Sequence, residues 1–270
     1  MNTQLIKTRL INVIGEVPVS FVQAFRFVYL LHKQQNVDPE IALLPVLLRQ
    51  GDITIDVGAN GGDWSYQLHK IVGVSGFVFA FEADPYYAYA TSFALRLLRL
   101  KHVRLFPFGL SDKNEDVPLR VSNAGGLRMT GRSHIDRNAR LGNHDIRVVS
   151  LKRLDTMVED FPQLLTTRLI KCDVEGYELF VFRGAAEIIK KSRPIIILEI
   201  GNYEKQGYSN EDVFHFFDER DYLTFALTGE HTLSQTDKML NHNKAVGVNR
   251  VLLPKEQIST LLGKIDINYE

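Results

Sequence analysis

The sequence predicts a doubly wound α/β fold around a mostly parallel, seven-stranded sheet, with an inserted hairpin and an N-terminal helical segment. Three observations carry this prediction. From Asp52 onward, short β-rich runs alternate with stretches of helical periodicity, the pattern of successive βαβ units. Residues 194–200, PIIILEI, form a continuous apolar run of the kind found in strands buried on both faces. Residues 56–62, DVGANGG, are a glycine-rich turn directly after a predicted strand and directly before a predicted helix, where an α/β sheet receives a nucleotide-like ligand. The 270 residues fit one main domain over 50–270, with an insertion at about 113–150 and a helical extension over 1–49. No composition shift marks a linker within that domain.

Residues 52–56 (DITID) read as the first strand. Trp64, Leu68, Ile71 and Val72 then recur at helical spacing, and Gly73 closes that helix. Residues 77–81 (FVFAF) form the second strand, and a helix after Pro85 carries Ala90, Phe93, Ala94, Leu97 and Leu98 on one stripe. Residues 103–110 form a third strand. Pro107 has no N–H to donate to a ladder, so this strand belongs at a sheet edge. Residues 117–121 and 146–151 are the arms of the inserted hairpin, joined through a Gly- and Arg-rich loop over 123–143.

The alternation resumes with a strand over 169–173, a helix over 177–191 and the apolar strand at 194–200. Ser209-Asn210-Glu211-Asp212 reads as the capped start of a further helix. Residues 222–227 and 249–253 are the last strands, with an irregular polar stretch over 228–248 between them. Near the N-terminus, residues 17–31 read as an amphipathic helix interrupted by Gln23 and Arg26. It falls short of the ~20 apolar residues that span a bilayer. Covering the sheet or forming a dimer face is its simplest role; a membrane-surface anchor and a lid over the acceptor are the alternatives.

Lys plus Arg and Asp plus Glu number 32 each, so the formal charge is zero, which argues against a basic nucleic-acid-binding protein. Cys172 is the one cysteine. It allows no intrachain disulfide, fits a reducing compartment such as the cytoplasm, and reads as a small core residue.

The glycine turn carries the sharpest chemical signal. Gly58 permits close backbone approach, Asn60 tolerates a left-handed conformation, and Gly62 keeps the helix start open. The dinucleotide spacing G-x-G-x-x-G fails, because Asn60 and Asp63 occupy the second and third glycine positions. Asp56 and Asp63 would repel a pyrophosphate but suit a cation, and the sulfonium and α-amino groups of S-adenosylmethionine are both cationic. Glu82 ends the second strand 20 residues past Gly62, at the spacing of an acid that grips ribose hydroxyls, and Asp112 follows the third strand where the adenine edge would lie.

At the end of the fourth strand, Lys171 and Asp173 share one face. Asp173 is placed to reach the methionine end of the cofactor or the acceptor hydroxyl, with Lys171 balancing its charge and Glu175 orienting the acceptor. In the insertion, Arg128, Arg132, Arg137 and Arg140 surround His134, with Asp136 the one acid among them. The loop reads either as a solvated basic segment or as a lid for an anionic acceptor, in which His134 would serve as general base.

These motifs together resemble the FkbM-type S-adenosylmethionine-dependent methyltransferases. The resemblance rests on IDVGANGG (55–62), FEADP (81–85), GLSD (109–112), VSLKRLDTM (149–157), IKCDVEGYELFVFRGA (170–185) and IILEI (196–200). The family usually has proline where Ala83 stands. The resemblance implies a Rossmann-like class I methyltransferase. It also implies O-methylation of a sugar, glycolipid or natural-product hydroxyl. It implies no metal, although Asp173, Glu199 and Asn202 could imitate a catechol-type cation site. A cofactor-binding but non-catalytic scaffold of a biosynthetic pathway is the rival reading. The partners expected are a small-molecule or saccharide acceptor and a second copy of the chain, with no nucleic acid and no transmembrane segment.

Overall fold

The computed structural model describes residues 16–33, 38–121, 123–124, 127–128, 133–140, 145–200, 206–236 and 249–269. In chain order the first strands are β1 (Ile53–Val57), β2 (Phe77–Phe81), β3 (Val103–Phe106), β4 (Gly109–Leu110) and β5 (Glu115–Arg120). The insertion adds β6 (Asn123–Ala124), β7 (Leu127–Arg128), β8 (His134–Ile135) and β9 (Ile146–Lys152). Then follow β10 (Thr167–Cys172), β11 (Ile195–Glu199), β12 (Tyr222–Gly229), β13 (Thr232–Gln235), β14 (Asn249–Pro254) and β15 (Asp266–Asn268). The helices are α1 (Glu16–Lys33), α2 (Leu44–Leu47), α3 (Asp63–Val72), α4 (Pro85–Leu97), α5 (Glu178–Gly184), α6 (Ala186–Ser192), α7 (Asn210–Asp218) and α8 (Lys255–Leu261).

The main sheet has the order β15-β13-β12-β14-β11-β10-β1-β2-β3. The run from β12 to β3 is the expected seven-stranded sheet; β13 and β15 extend its edge. Strands β11, β10, β1, β2 and β3 are parallel, and β14 runs antiparallel to both β11 and β12. Side chains alternate across a strand, so the apolar run of β11 feeds both layers. Ile196 and Leu198 pack with Phe182, Ile188 and Phe217 on one side, while Ile195 and Ile197 pack with Leu47, Leu68 and Val72 on the other.

Several details depart from the sequence expectation. Residues 103–110 are two strands: β3 forms the predicted edge of the main sheet, and beyond Pro107 the chain crosses to a second sheet ordered β4-β9-β5-β8. The hairpin arms β5 and β9 pair antiparallel as expected. The helix expected over 177–191 breaks at Ala185, whose backbone leaves the helical region. Gly184 packs there against the Ser111 backbone, where a Cβ would lie 1.9 Å from the Ser111 carbonyl oxygen. Residues 228–248 are not wholly irregular, because β12 turns back into β13. Ser209 and Asp212 form the predicted capping box.

Helix α1 seats Ala24 and Phe27 against Tyr86, Tyr87, Ala90 and Ala94 of α4. The alanines let the two helices approach closely. Leu97, expected on the buried stripe of α4, faces outward instead, because Tyr86, Tyr87, Thr91 and Leu95 complete the buried face. No described helix is long and apolar enough to cross a membrane.

Candidate active site

Three strand ends meet at the glycine turn. Gly58 has φ +82°, and a Cβ there would lie 1.8 Å from the carbonyl oxygen of Asp173. The backbone turns after β1 and β10 therefore touch, at a spacing that only glycine permits. Gly58 and Ala59 donate their N–H groups to the Phe81 carbonyl, each at 2.9 Å, which braces the turn against β2. Asn60 adopts the left-handed conformation expected of it, at φ +43°. Its N–H donates to Glu82 Oε2 at 2.8 Å, and its carbonyl accepts from Thr91 Oγ1. Gly62 stands at the N-cap of α3.

Glu82 also accepts the Asp84 N–H on Oε1 at 2.7 Å. Burial, followed by the nearby Asp84 charge, pushes its carboxyl up to about 8. Gly58, Asn60, Glu82, His134, Asp173 and Glu175 all line one cavity, alongside apolar side chains from Phe81, Leu110, Ile135 and Leu151. His134 reaches it because β8 of the insertion folds over the sheet end, where Ser133 Oγ donates to Asp84 Oδ2 at 3.2 Å.

The remaining expected site residues lie off this cavity. Asp56 is buried beneath it and accepts from Ser65 Oγ at 2.5 Å. Burial dominates its environment and pushes its carboxyl up to about 6. Lys171 lies directly across the β1–β10 ladder from Asp56 and is itself buried. Its Nζ stands 3.3 Å from Asp173 Oδ2 and 5.4 Å from the centre of the Trp64 ring. Burial alone would lower the Lys171 pKa, but the carboxylates of Asp173, Asp56 and Asp38 outweigh it and raise it. Asp112, expected near the adenine edge or as a turn aspartate, is not among the residues that line this cavity. It is held beside Ser111, whose Oγ donates to it at 3.2 Å, and Gly109 and Leu110 line the cavity in its place.

Two carboxylates complete the constellation. Cys172 pairs with Leu198 in the β10–β11 ladder, so the next residues, Asp173 and Glu199, emerge side by side. Glu199 hydrogen-bonds to Asp173, and burial together with the Asp173 charge raises its pKa well above the ordinary range. The sequence suggested Glu199 only as a metal ligand; an acid ending an apolar strand beside Asp173 was the signal for this pairing. Glu178 was not singled out at all. Its Oε1 accepts from Val174 N at 3.1 Å and Gly176 N at 3.3 Å, which fixes the turn that carries Asp173 and Glu175. Burial pushes its carboxyl up to about 7. Among the described residues, no group of three His, Cys, Asp or Glu side chains converges to hold a metal.

Two arginines of the insertion are drawn into internal pairs. Arg137 donates to both Glu115 oxygens, at 3.0 and 2.5 Å, and to the Tyr177 hydroxyl at 2.5 Å. Arg120, which the sequence did not single out, pairs with Asp136 at 2.8 Å. Arg140 is exposed, and the side chains of Arg128 and Arg132 lie outside the described residues.

A family model described as the methyltransferase FkbM domain matches residues 56–224. The chain belongs to the FkbM family of S-adenosylmethionine-dependent methyltransferases. Among solved structures it is similar to the FkbM methyltransferase of Methylobacillus flagellatus KT, at 14% identity and a TM-score of 0.50. That match covers 90% of this chain but 59% of the other, so this chain spans about three fifths of its length. A putative O-methyltransferase from Klebsiella pneumoniae matches at 13% identity over 92% of this chain and 95% of that one, with a TM-score of 0.44. Aeropyrum pernix fibrillarin, solved with natively bound S-adenosyl-L-methionine, matches at 11% identity over 77% and 67%, with a TM-score of 0.39. No curated protein matches.

The site of this FkbM-family chain fits its cofactor. Gly58 lines the cavity, the buried Asn60 Oδ1 has no hydrogen-bond partner, and each Glu82 oxygen keeps a second lone pair beyond the backbone bond it accepts. The apolar wall of Phe81, Ile135 and Leu151 suits a flat base, and the carboxylates suit a cation.

Proposed function

We propose that this chain moves the methyl group of S-adenosylmethionine to a hydroxyl oxygen of a sugar, glycolipid or natural-product acceptor, with Asp173 as the proton acceptor. The observation that carries this reading is the placement of Asp173. It lines the cavity, pairs with buried Lys171 at 3.3 Å and hydrogen-bonds to Glu199.

When bound, S-adenosylmethionine supplies an electrophilic methyl carbon and departs as S-adenosylhomocysteine. Glu82 and Asn60 hold the nucleoside half beside the Gly58 turn. Asp173 faces the acceptor oxygen and takes its proton as the new carbon–oxygen bond forms. Lys171 offsets the carboxylate charge, and Glu199 holds the rotamer of Asp173 through their hydrogen bond. Asp56 acts from below, through Lys171 and Ser65. Most of the acceleration on this reading is alignment, worth up to ~7–11 kcal/mol in favourable cases, with the base adding ~10²–10⁴-fold.

The test is Asp173→Asn in a transfer assay against a panel of hydroxylated acceptors, neutral and anionic. Turnover should fall ~10²–10⁴-fold while calorimetric affinity for S-adenosylhomocysteine stays within about threefold. Undiminished turnover would remove Asp173 from the chemistry. Absence of turnover in the wild-type chain with every acceptor, despite cofactor binding, would favour a non-catalytic scaffold.

A further inference from the structure

Helix α1 carries a face that the fold leaves uncovered. Phe21, Val22, Phe25 and Tyr29 are 44%, 67%, 61% and 58% exposed. The ridge continues onto α4, where the Phe93 ring meets Phe21 at 4.6 Å and Phe25 at 6.1 Å, and where Tyr89 and Leu97 are also exposed. Single exposed apolar residues are ordinary; a continuous ridge across two packed helices marks a contact surface.

The charge around this ridge has one sign. From Ser20 to Lys33 there is no acidic residue, and Arg26 and Lys33 are exposed. From Pro85 to Ser111 there is again none, while Arg96, Arg99 and Lys101 follow one another along the end of α4 and the turn into β3. Arg96 lies one turn beyond Phe93 on the outward side of α4. The chain as a whole is balanced, at 32 basic and 32 acidic residues, so the asymmetry belongs to this face.

These two properties together select the occupant. A two-fold pairing of this face with itself would set cations against cations, with no acid among the described side chains of the ridge to neutralise them. An anionic bilayer supplies both an apolar layer for aromatic side chains and negative headgroups for the flanking cations. We propose that the α1–α4 face docks on an anionic lipid surface, with Phe21, Val22, Phe25 and Tyr29 entering the interface and Arg26, Arg96, Arg99 and Lys101 meeting the headgroups. The inference is independent of which hydroxyl accepts the methyl group. It also places the catalytic end of the molecule near the membrane, because Phe27 of α1 packs beside Gly61 and its ring stacks on that of Tyr87, which lines the cavity.

The experiment is co-sedimentation of the full chain with phosphatidylcholine vesicles, with and without phosphatidylserine. Binding should be at least ~10-fold stronger to the phosphatidylserine vesicles and should weaken as salt is raised. The double variant Phe21→Ser/Phe25→Ser should lose binding to both vesicles, and Arg96→Glu/Arg99→Glu should lose the preference for phosphatidylserine. Both should keep the wild-type thermal shift with S-adenosylhomocysteine, which shows that the fold and site are intact. No vesicle binding by the wild-type chain, or binding that both variants retain, overturns the proposal. So does a dimer in sedimentation velocity that Phe21→Ser/Phe25→Ser dissolves, which would make a second copy the occupant.

Discussion

Glu82 accepts the backbone N–H of Asn60 at 2.8 Å, so the acid that ends β2 is fastened to the glycine turn that follows β1. One side chain thus serves two tasks, bracing the turn and facing the cavity. Glu82→Ala should lose both, and calorimetry with S-adenosylhomocysteine should show affinity reduced by about tenfold or more, equivalent to roughly 1.4 kcal/mol. An unchanged dissociation constant would separate Glu82 from cofactor binding.

The buried carboxyls also set a pH dependence. Glu82, Glu178 and Asp56 sit at about 8, 7 and 6, whereas unfolded carboxyls titrate near ~4. Between those limits the folded chain binds more protons than the unfolded chain, so its stability falls as pH rises from about 4 and levels off above about 8. Scanning fluorimetry of the ligand-free protein should therefore give a lower Tm at pH 8 than at pH 6. The shift caused by cationic S-adenosylmethionine should be larger at pH 8, where more carboxyls are ionised. A Tm that climbs over this interval would contradict the buried protonated carboxyls.

A related expectation concerns Glu199. It hydrogen-bonds to Asp173, and its pKa is raised by burial and by the Asp173 charge. Glu199→Gln should leave Asp173 as the single carboxylate of the pair. The alkaline-going rise of kcat/KM should then move to lower pH by at least about one unit. An unmoved pH profile would show that the two carboxyls titrate independently.

Lys171 is the buried counter-charge of this cluster. Lys171→Met fills a similar volume but leaves Asp173 and Asp56 without their cation. Chemical denaturation should report a loss of about 3–5 kcal/mol. The double variant Lys171→Met/Asp56→Asn should recover part of it, since one uncompensated carboxylate is then gone.

Much of this arrangement was legible before any coordinates. The βαβ rhythm, the edge position imposed by Pro107 and the capping box at Ser209 all follow from local chemistry, and the structure places each as expected. The glycine turn and the Lys171–Asp173 pair follow from the two-residue alternation of a strand. What escaped was set by contacts distant in sequence. The break at Ala185 comes from Gly184 meeting the Ser111 backbone, which no periodicity encodes. Gly109 and Leu110 reach the cavity only because the chain crosses to a second sheet beyond Pro107, a crossing that no local pattern encodes. The outward face of Leu97 follows from where α1 lands on α4. The arginines of the insertion looked free for an anion, but Arg137 is spent on Glu115, 22 residues earlier in the chain.

The contact between Gly58 and the Asp173 carbonyl carries one more implication. The turn after β1 and the turn that carries Asp173 share a backbone surface with no side chain between them. Neither can swing without the other. On the proposed reading, the relative orientation of donor and base is thus built during folding, not assembled by a closing loop when substrate arrives. Variation in acceptor preference among chains sharing this turn must therefore arise in the surrounding elements, since the reacting geometry has no independent joint through which to drift.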